Sequence, residues 1–279
     1  MLKQFQLQGT STYLIGTGRS RILIDTGEGF PIWLENLVRV LEDKDIEISH
    51  VLLTHWHMDH TGGVTSLLEK FPGLHSSIYK NNPDKGQQPI ANNQLFSIEG
   101  ATVRALFTPG HAIDHMCFIL EEENALFTGD NVLGHGFTVV ENLGVFMASL
   151  ESMKKCYCSK GYPAHGVIIQ DLPGKINRCI TRYLRRETQV LDLLKESFTK
   201  SQDVIQERWH GIDYVVKGMT TLELVHEIYG EGVSGEMSVM ALQPALNETL
   251  QKLAEDGKVG SQLELGKPFG KPSKRWFLL

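Results

Sequence analysis

Thr54-His55-Trp56-His57-Met58-Asp59-His60 decides the reading of this chain. It follows the apolar run Val51-Leu52-Leu53, suited to a buried strand, and leads through Gly62-Gly63 into a predicted helix over Thr61–Phe71. In extended backbone the side chains of His55 and His57 point the same way. Asp59 and His60 fall at the turn into the helix. Three imidazoles and a carboxylate within six residues suit two metal ions side by side better than one. Structural zinc sites usually draw on cysteine, and no cysteine lies nearby.

Working outward, three positions offer the missing ligands. His111 in Thr108-Pro109-Gly110-His111, Asp130 in Thr128-Gly129-Asp130-Asn131 and His165 in Tyr162-Pro163-Ala164-His165-Gly166 each sit at a predicted strand edge. Alone, His111 reads as a surface histidine and Asp130 as an Asx-turn. Together they fill the gaps left by the first motif, and a carboxylate at Asp130 can bridge two cations. Asp25 ends a strand beside Thr26-Gly27, as a turn former or as an acceptor that orients a metal-bound histidine. His115 and His135 are candidate substrate contacts. His50, His75, His210 and His226 read as packing or surface residues. Phe30, Trp56, Met58 and Phe137 lie beside the motifs, either lining an apolar pocket or packing in the core. No phosphate loop and no Gly-x-Ser-x-Gly motif is present.

The elements around these motifs interleave. Thr10–Gly16 with Arg21–Asp25, and Met116–Leu120 with Asn124–Thr128, are spaced as hairpins. Pro31–Glu42, Phe146–Cys156 and Asp171–Ser197 have helical spacing, and Ser76–Tyr79, Gln94–Ile98, Ala101–Thr108 and Gly166–Ile169 read as strands. This predicts an α+β chain with mixed sheets covered by helices. The composition changes after about Tyr214, which predicts a catalytic domain over 1–214 and a small domain over 215–279. There, helices at Thr220–Tyr229 and Pro244–Asp256 precede a β-rich end, a winged-helix-like pattern. Seven Lys/Arg against eight Asp/Glu from Val215 to Leu279, with an acidic second helix, argue for a packing or dimer-forming appendage rather than a reader of DNA.

The bulk composition agrees. The 279 residues are 41% hydrophobic and 22% charged, with 27 Lys+Arg against 33 Asp+Glu for a net charge of −6. That is an ordinary globular composition, and its acidic balance argues against a nucleic-acid partner. No apolar stretch approaches membrane-spanning length, Met1–Leu14 carries no secretory pattern, and four cysteines are too few for a disulfide framework. A cytoplasmic setting is expected.

These motifs taken together resemble the metallo-β-lactamase superfamily. The matching features are Asp25-Thr26-Gly27, the T-H-x-H-x-D-H run from Thr54 to His60, Pro109-Gly110-His111, Gly129-Asp130, and Tyr162 to Gly166. The resemblance implies an αββα sandwich with a dinuclear centre at the edge of two sheets. His55, His57 and His111 would hold the first metal, Asp59, His60 and His165 the second, and Asp130 would bridge. With no cysteine ligand, the set is similar to the hydrolytic, glyoxalase II-like branch. Zinc is the expected metal, with manganese as the alternative. Leu7 to Leu14, Glu121 to Ala125, Gly129 to Gly136 and the C-terminal unit resemble the β-lactamase-like-protein-2 group. Within it, Gly129 to Gly136 and Leu172 to Ile176 are most similar to fungal thioesterases that release aromatic polyketides from an acyl carrier protein, the atrochrysone carboxyl ACP thioesterases. What this implies is thioester hydrolysis by a metal-bound hydroxide, with Asp59 taking a proton. The implied partner is the carrier domain of a non-reducing polyketide synthase. The alternative within the group is a single-strand endoribonuclease. The chain departs from the pattern at Ala164, where glycine is usual, and at Thr181-Arg182-Tyr183, where a His-Arg pair is common. Relatives also tend to have a strand or two ahead of Leu7.

Overall fold

A computed structural model of the chain describes residues 9–200, 206–209, 212–215, 218–264 and 273–279. The chain opens with β1 (Tyr13–Ile15) and β2 (Ser20–Ile24), then α1 (Pro31–Asp43), β3 (Glu47–Leu52), α2 (Met58–Thr61) and α3 (Val64–Lys70). Five strands follow: β4 (Ile78–Lys80), β5 (Gln88–Pro89), β6 (Leu95–Ile98), β7 (Ala101–Phe107) and β8 (Met116–Leu120). Then come β9 (Ala125–Gly129), α4 (Leu143–Lys154), β10 (Lys160–Pro163) and α5 (Leu172–Lys200).

The strands form two five-stranded sheets, ordered β1-β2-β3-β4-β5 and β10-β9-β8-β7-β6. The first is antiparallel only at β1–β2, and the second is parallel only at β10–β9. Alternation along each strand decides the layers. Ile22, Ile24 and Leu52 pack with Val103, Ala105, Met116, Phe118 and Phe127 in one buried cluster that joins the two sheets. Their neighbours Leu23, Val51 and Leu53 pack instead with Leu37 and Leu41 of α1 and Leu67 of α3. On the second sheet Cys117, Ile119 and Leu126 have the opposite parity and are buried, as are Phe146, Leu150 and Met153 of α4. This is the αββα sandwich that the resemblance implies.

Two local expectations are corrected. The helix expected over Thr61–Phe71 is two short helices, α2 and α3, broken at Gly62-Gly63. A Cβ on Gly62 would lie 2.5 Å from the Glu28 carbonyl, and one on Gly63 would lie 2.2 Å from the Thr26 carbonyl. The loop after β2 therefore presses against this break, and only glycine leaves room for it. The strand expected at Gly166–Ile169 lies at Lys160–Pro163 instead. Beyond it the chain turns out at His165 and pairs with the sheet again at the Gly161–Ile169 bridge.

Contacts divide the chain into Met1–Cys179 and Ile180–Leu279, so the division falls inside α5 and not after residue 214. Val190 and Leu194 of that helix share a core with Leu224, Val225, Leu246, Leu250, Leu253, Val259 and Trp276. Composition tracks the surface, whereas the division follows the core. This unit holds a hairpin of β11 (Gln206–Trp209) and β12 (Ile212–Val215), then β13 (Met219–Thr220) and α6 (Thr221–Tyr229). After these come α7 (Gly235–Met237), α8 (Gln243–Glu255), β14 (Val259–Glu264) and β15 (Ser273–Leu278). A capping box opens α6: the Thr220 side chain accepts from Glu223 N–H, and Glu223 reaches back to Thr220 N–H. A π-helical turn over Ser238–Leu242 leads into α8 ahead of Pro244. The sheet is three-stranded, β13-β15-β14, one short strand more than the two-stranded wing expected. The position of His210 and the Gly266–Pro272 loop lie outside the described residues.

Candidate metal centre

The donors sit where strands of both sheets end. β3 runs into Thr54–His60, β7 into Thr108–His111, β9 into Asp130 and β10 into His165. At the centre of their support is Asp25, buried at the end of β2 with φ 57°, in the left-handed region that few non-glycine residues adopt. In that conformation its carboxylate accepts from Thr54 N–H, Thr54 Oγ1–H and His60 Nδ1–H, each at 2.8 Å.

This network assigns the imidazole tautomers. Thr54 Oγ1 spends its proton on Asp25 and accepts from His55 Nδ1–H at 3.0 Å. His111 Nδ1–H donates to the Val139 carbonyl at 2.7 Å, and His165 Nδ1–H donates to the Gly9 carbonyl at 3.1 Å. Four rings, those of His55, His60, His111 and His165, therefore direct Nδ1–H outward and turn Nε2 inward. His57 presents Nδ1, 2.8 Å from His55 Nε2 and 3.2 Å from His111 Nε2.

Three overlapping sets of donors result, each with its ligand atoms within 4.8 Å of one another: His55, His57 and His111; His55, His60 and Asp130; and Asp59, His60 and His165. Asp130 reaches toward both sides. Its Oδ2 lies 3.6 Å from His111 Nε2, and its Oδ1 lies 3.5 Å from His60 Nε2 and 3.3 Å from His165 Nε2. Asp59 Oδ2 lies 3.3 Å from both His60 Nε2 and His165 Nε2.

Charge separates the two halves. Burial and neighbouring imidazoles push His55 well below its ordinary range, and burial takes His111 down to about 4. On the other side burial opposes protonation, but Asp25 and Asp130 hold His60 well above its usual value, and Asp130 and Asp59 hold His165 up at about 10. Burial would raise both carboxylates, yet the facing histidines hold Asp59 and Asp130 below the usual range. His57 Nδ1 and His55 Nε2, 2.8 Å apart, either share the His57 proton or both turn to a common cation. Among the described residues the buried atoms His60 Nε2 and Asp130 Oδ1 make no well-aligned hydrogen bond, although they face each other at 3.5 Å. A converging, nitrogen-rich donor set with buried polar atoms left unsatisfied fits divalent cations.

Other expected site residues fall elsewhere. His115 is fully buried behind Asp130, where it cannot meet a substrate. Its Nε2 accepts from Asp130 N–H at 3.1 Å, and its Nδ1–H donates to Thr108 Oγ1 at 3.0 Å. Thr108 in turn donates to Cys117 Sγ, which donates to the Thr128 carbonyl. This circuit holds the Asp130 turn in place. His135 is exposed and outside the donor sets. Phe30, Trp56, Met58 and Phe137 are exposed by 61%, 51%, 71% and 67%, so core packing does not explain them. The sequence reading missed Asp114, which accepts from Trp56 N–H at 3.3 Å between two ligand histidines and faces buried Lys80 at 3.8 Å.

Known proteins show the same arrangement of chain. A family model described as the metallo-beta-lactamase superfamily matches residues 6–157. An atrochrysone carboxyl ACP thioesterase from Aspergillus chevalieri is 51% identical over 276 residues, covering 99% of this chain and 83% of the relative. Another, from Cryptosporiopsis sp., is 50% identical over 277 residues, covering 99% and 82%. A beta-lactamase domain protein from Burkholderia ambifaria matches with a TM-score of 0.74 at 16% identity, covering 100% of this chain and 90% of that one, a likeness of fold alone. With the family match running over more than half its length and both sheets folded as that match requires, this chain belongs to the metallo-β-lactamase superfamily.

Proposed function

We propose that this protein is a dinuclear metallohydrolase that releases an aromatic polyketide from an acyl carrier protein by hydrolysing the thioester. The two relatives named above carry that activity class in their names. The observation that carries the reading to this chain is the makeup of the ligand loops. No Lys or Arg occurs in 25–33, 53–65, 108–115, 129–145 or 163–171. These same loops expose Phe30, Trp56, Met58, Ile113, Phe137 and Val167. Such a rim suits an apolar acyl group. A phosphodiester substrate calls for cationic contacts, so the endoribonuclease reading is not favoured.

In this reading His55, His57 and His111 hold one cation, Asp59, His60 and His165 hold the other, and Asp130 spans them. The nitrogen-rich set favours zinc. When bound, such cations supply a Lewis acid for the carbonyl oxygen and acidify a water for attack. The chain fixes the geometry: Asp25 locks Thr54 and His60, Val139 locks His111, and the His115 circuit locks Asp130. Water oxygen bonds to the carbonyl carbon, the C–S bond breaks, and the carrier's sulfur leaves as thiolate. Asp59, at the mouth with its side chain 17% exposed, accepts a proton as this happens. Thiolate is a good leaving group, so no strong general acid is required. The reducing cytoplasm suits Cys117, Cys156 and Cys158, which are free thiols. No helix among the described residues is long and apolar enough to cross a membrane.

The test incubates the protein with a polyketide synthase that lacks its own release domain and, in parallel, with single-stranded RNA. Chelator-sensitive product release with intact RNA is expected. RNA cleavage without product release would overturn the reading.

A further inference from the structure

The segment Gly9–Tyr13 supplies none of the seven donors, yet it is tied to two of the loops that do. Thr10 Oγ1 donates to Asp59 Oδ2 at 3.2 Å, and the Gly9 carbonyl accepts from His165 Nδ1–H at 3.1 Å. The bonds continue on either side of those two. Ser11 N–H donates to the Ala164 carbonyl at 2.7 Å, and Tyr13 OH donates to the Pro163 carbonyl at 2.7 Å. Thr12 Oγ1 accepts from Trp33 Nε1–H at 3.0 Å, which anchors the segment to α1. His55 and His111 lean on Thr54 and Val139 instead. One short stretch of chain thus braces Asp59 and His165, which belong to one half of the centre.

We propose that Gly9 and Thr10 form a lock on the second cation subsite, with Thr10 as a positioning residue for Asp59. The inference rests on the assignment of Asp59, His60 and His165 to that subsite. A carboxylate ligand turns about two side-chain bonds, and the Thr10 hydroxyl restricts that motion by donating to Asp59 Oδ2, the very oxygen that faces His60 Nε2 and His165 Nε2, which keeps a second lone pair for a cation. The Gly9 carbonyl does the same for His165 by fixing its tautomer and ring plane. Gly9 has φ +113°, and a Cβ there would meet nothing within 4 Å. Alanine at this position therefore perturbs the backbone angle alone.

The experiment loads the full chain with zinc, challenges it with a graded chelator and counts zinc per chain by elemental analysis. The wild type should hold two ions. Thr10→Val, which keeps shape and removes the donor, should keep one and release the other about 10–100-fold more readily. Thr10→Ser should restore two. Gly9→Ala carries the same expectation as Thr10→Val and serves if that variant does not fold. His165→Ala marks the pattern of a lost second ion and His111→Ala that of a lost first. Thr10→Val should match the former. Both ions retained as tightly as in the wild type, or both lost in one step, would overturn the lock. A wild type that saturates at one zinc would overturn the dinuclear reading beneath it, a separate and recognisable result.

Discussion

At the scale of single residues, the centre is a problem in where protons sit. His55 and His111 are held neutral, and His60 and His165 are held protonated, until cations displace those protons. This gives the cation-free protein a defined pH dependence. A histidine whose folded pKa is depressed contributes stability above its unfolded value, about 6.5, and that contribution is lost as pH falls through the folded value. For His111 the window runs down to about 4. A histidine with a raised pKa contributes fully below about 6.5 and loses that contribution as pH climbs through the folded value, which for His165 is about 10. Thermal melting in chelator should therefore peak near neutrality and fall on both sides, and zinc should flatten the alkaline limb. A melting temperature in chelator that rises steadily from pH 7 to about 9.5 would contradict this account. The seven donors stood out in the sequence because each is a ligand-type residue at a strand end or at the turn from a strand into a helix. Their supports did not. Thr10, Val139 and Asp114 are ordinary residue types whose bonds span 49, 28 and 58 positions. His115 misled because nearness in sequence to His111 says nothing about which side of Asp130 it occupies.

At the scale of elements, the junction between β3 and α3 decides whether the donors meet. The sequence alone predicts one helix over Thr61–Phe71 at this junction. The Gly62-Gly63 break instead lets the Asp25–Gly29 loop lie against it, with Thr26 N–H and Thr26 Oγ1 both donating to the His60 carbonyl, at 2.8 and 2.9 Å. Helical periodicity was legible there, but a glycine pair reads equally well as a helix opening, and the backbone that needs the space lies some thirty residues earlier. Gly63→Ala should show the consequence. The added methyl would meet the Thr26 carbonyl at 2.2 Å and the Trp33 ring at 2.8 Å. Backbone cannot yield as a flexible side chain does, so a loss of about 1–3 kcal/mol is expected, the range for overpacking. Because the displaced loop carries Asp25, zinc affinity should fall along with stability. Denaturant unfolding with and without zinc checks both, and an alanine variant as stable as the wild type would show that the contact is not tight.

At the scale of the whole molecule, the interleaving of elements made mixed sheets covered by helices legible and the family resemblance carried by the motifs implied the sandwich, while the C-terminal unit was only half read. Its helices and capping box follow from local signals, but its boundary depends on Val190 and Leu194 of α5 joining a core whose other members lie beyond residue 220, and no local pattern marks that. The catalytic unit's most telling global property is what surrounds its centre. Apolar side chains stand exposed in loops that lack Lys and Arg, so binding there gains from apolar burial and little from charge. If that rim holds the acyl group, its effect must scale with the length of that group. A long aromatic chain reaches Met58 and Phe137, whereas an acetyl group ends at the cations. Burying one large apolar side chain against a ligand is worth about 1.5–3 kcal/mol at most, so Met58→Ser and Phe137→Ser should each raise KM for a long aromatic thioester by about tenfold. Hydrolysis of an acetyl thioester should stay within about twofold, because the metal donors and their supports are untouched. Steady-state kinetics on the two thioesters, with zinc content confirmed for each variant, provides the check. Equal losses on both substrates would mean that these side chains shape the metal centre and do not recognise the acyl chain.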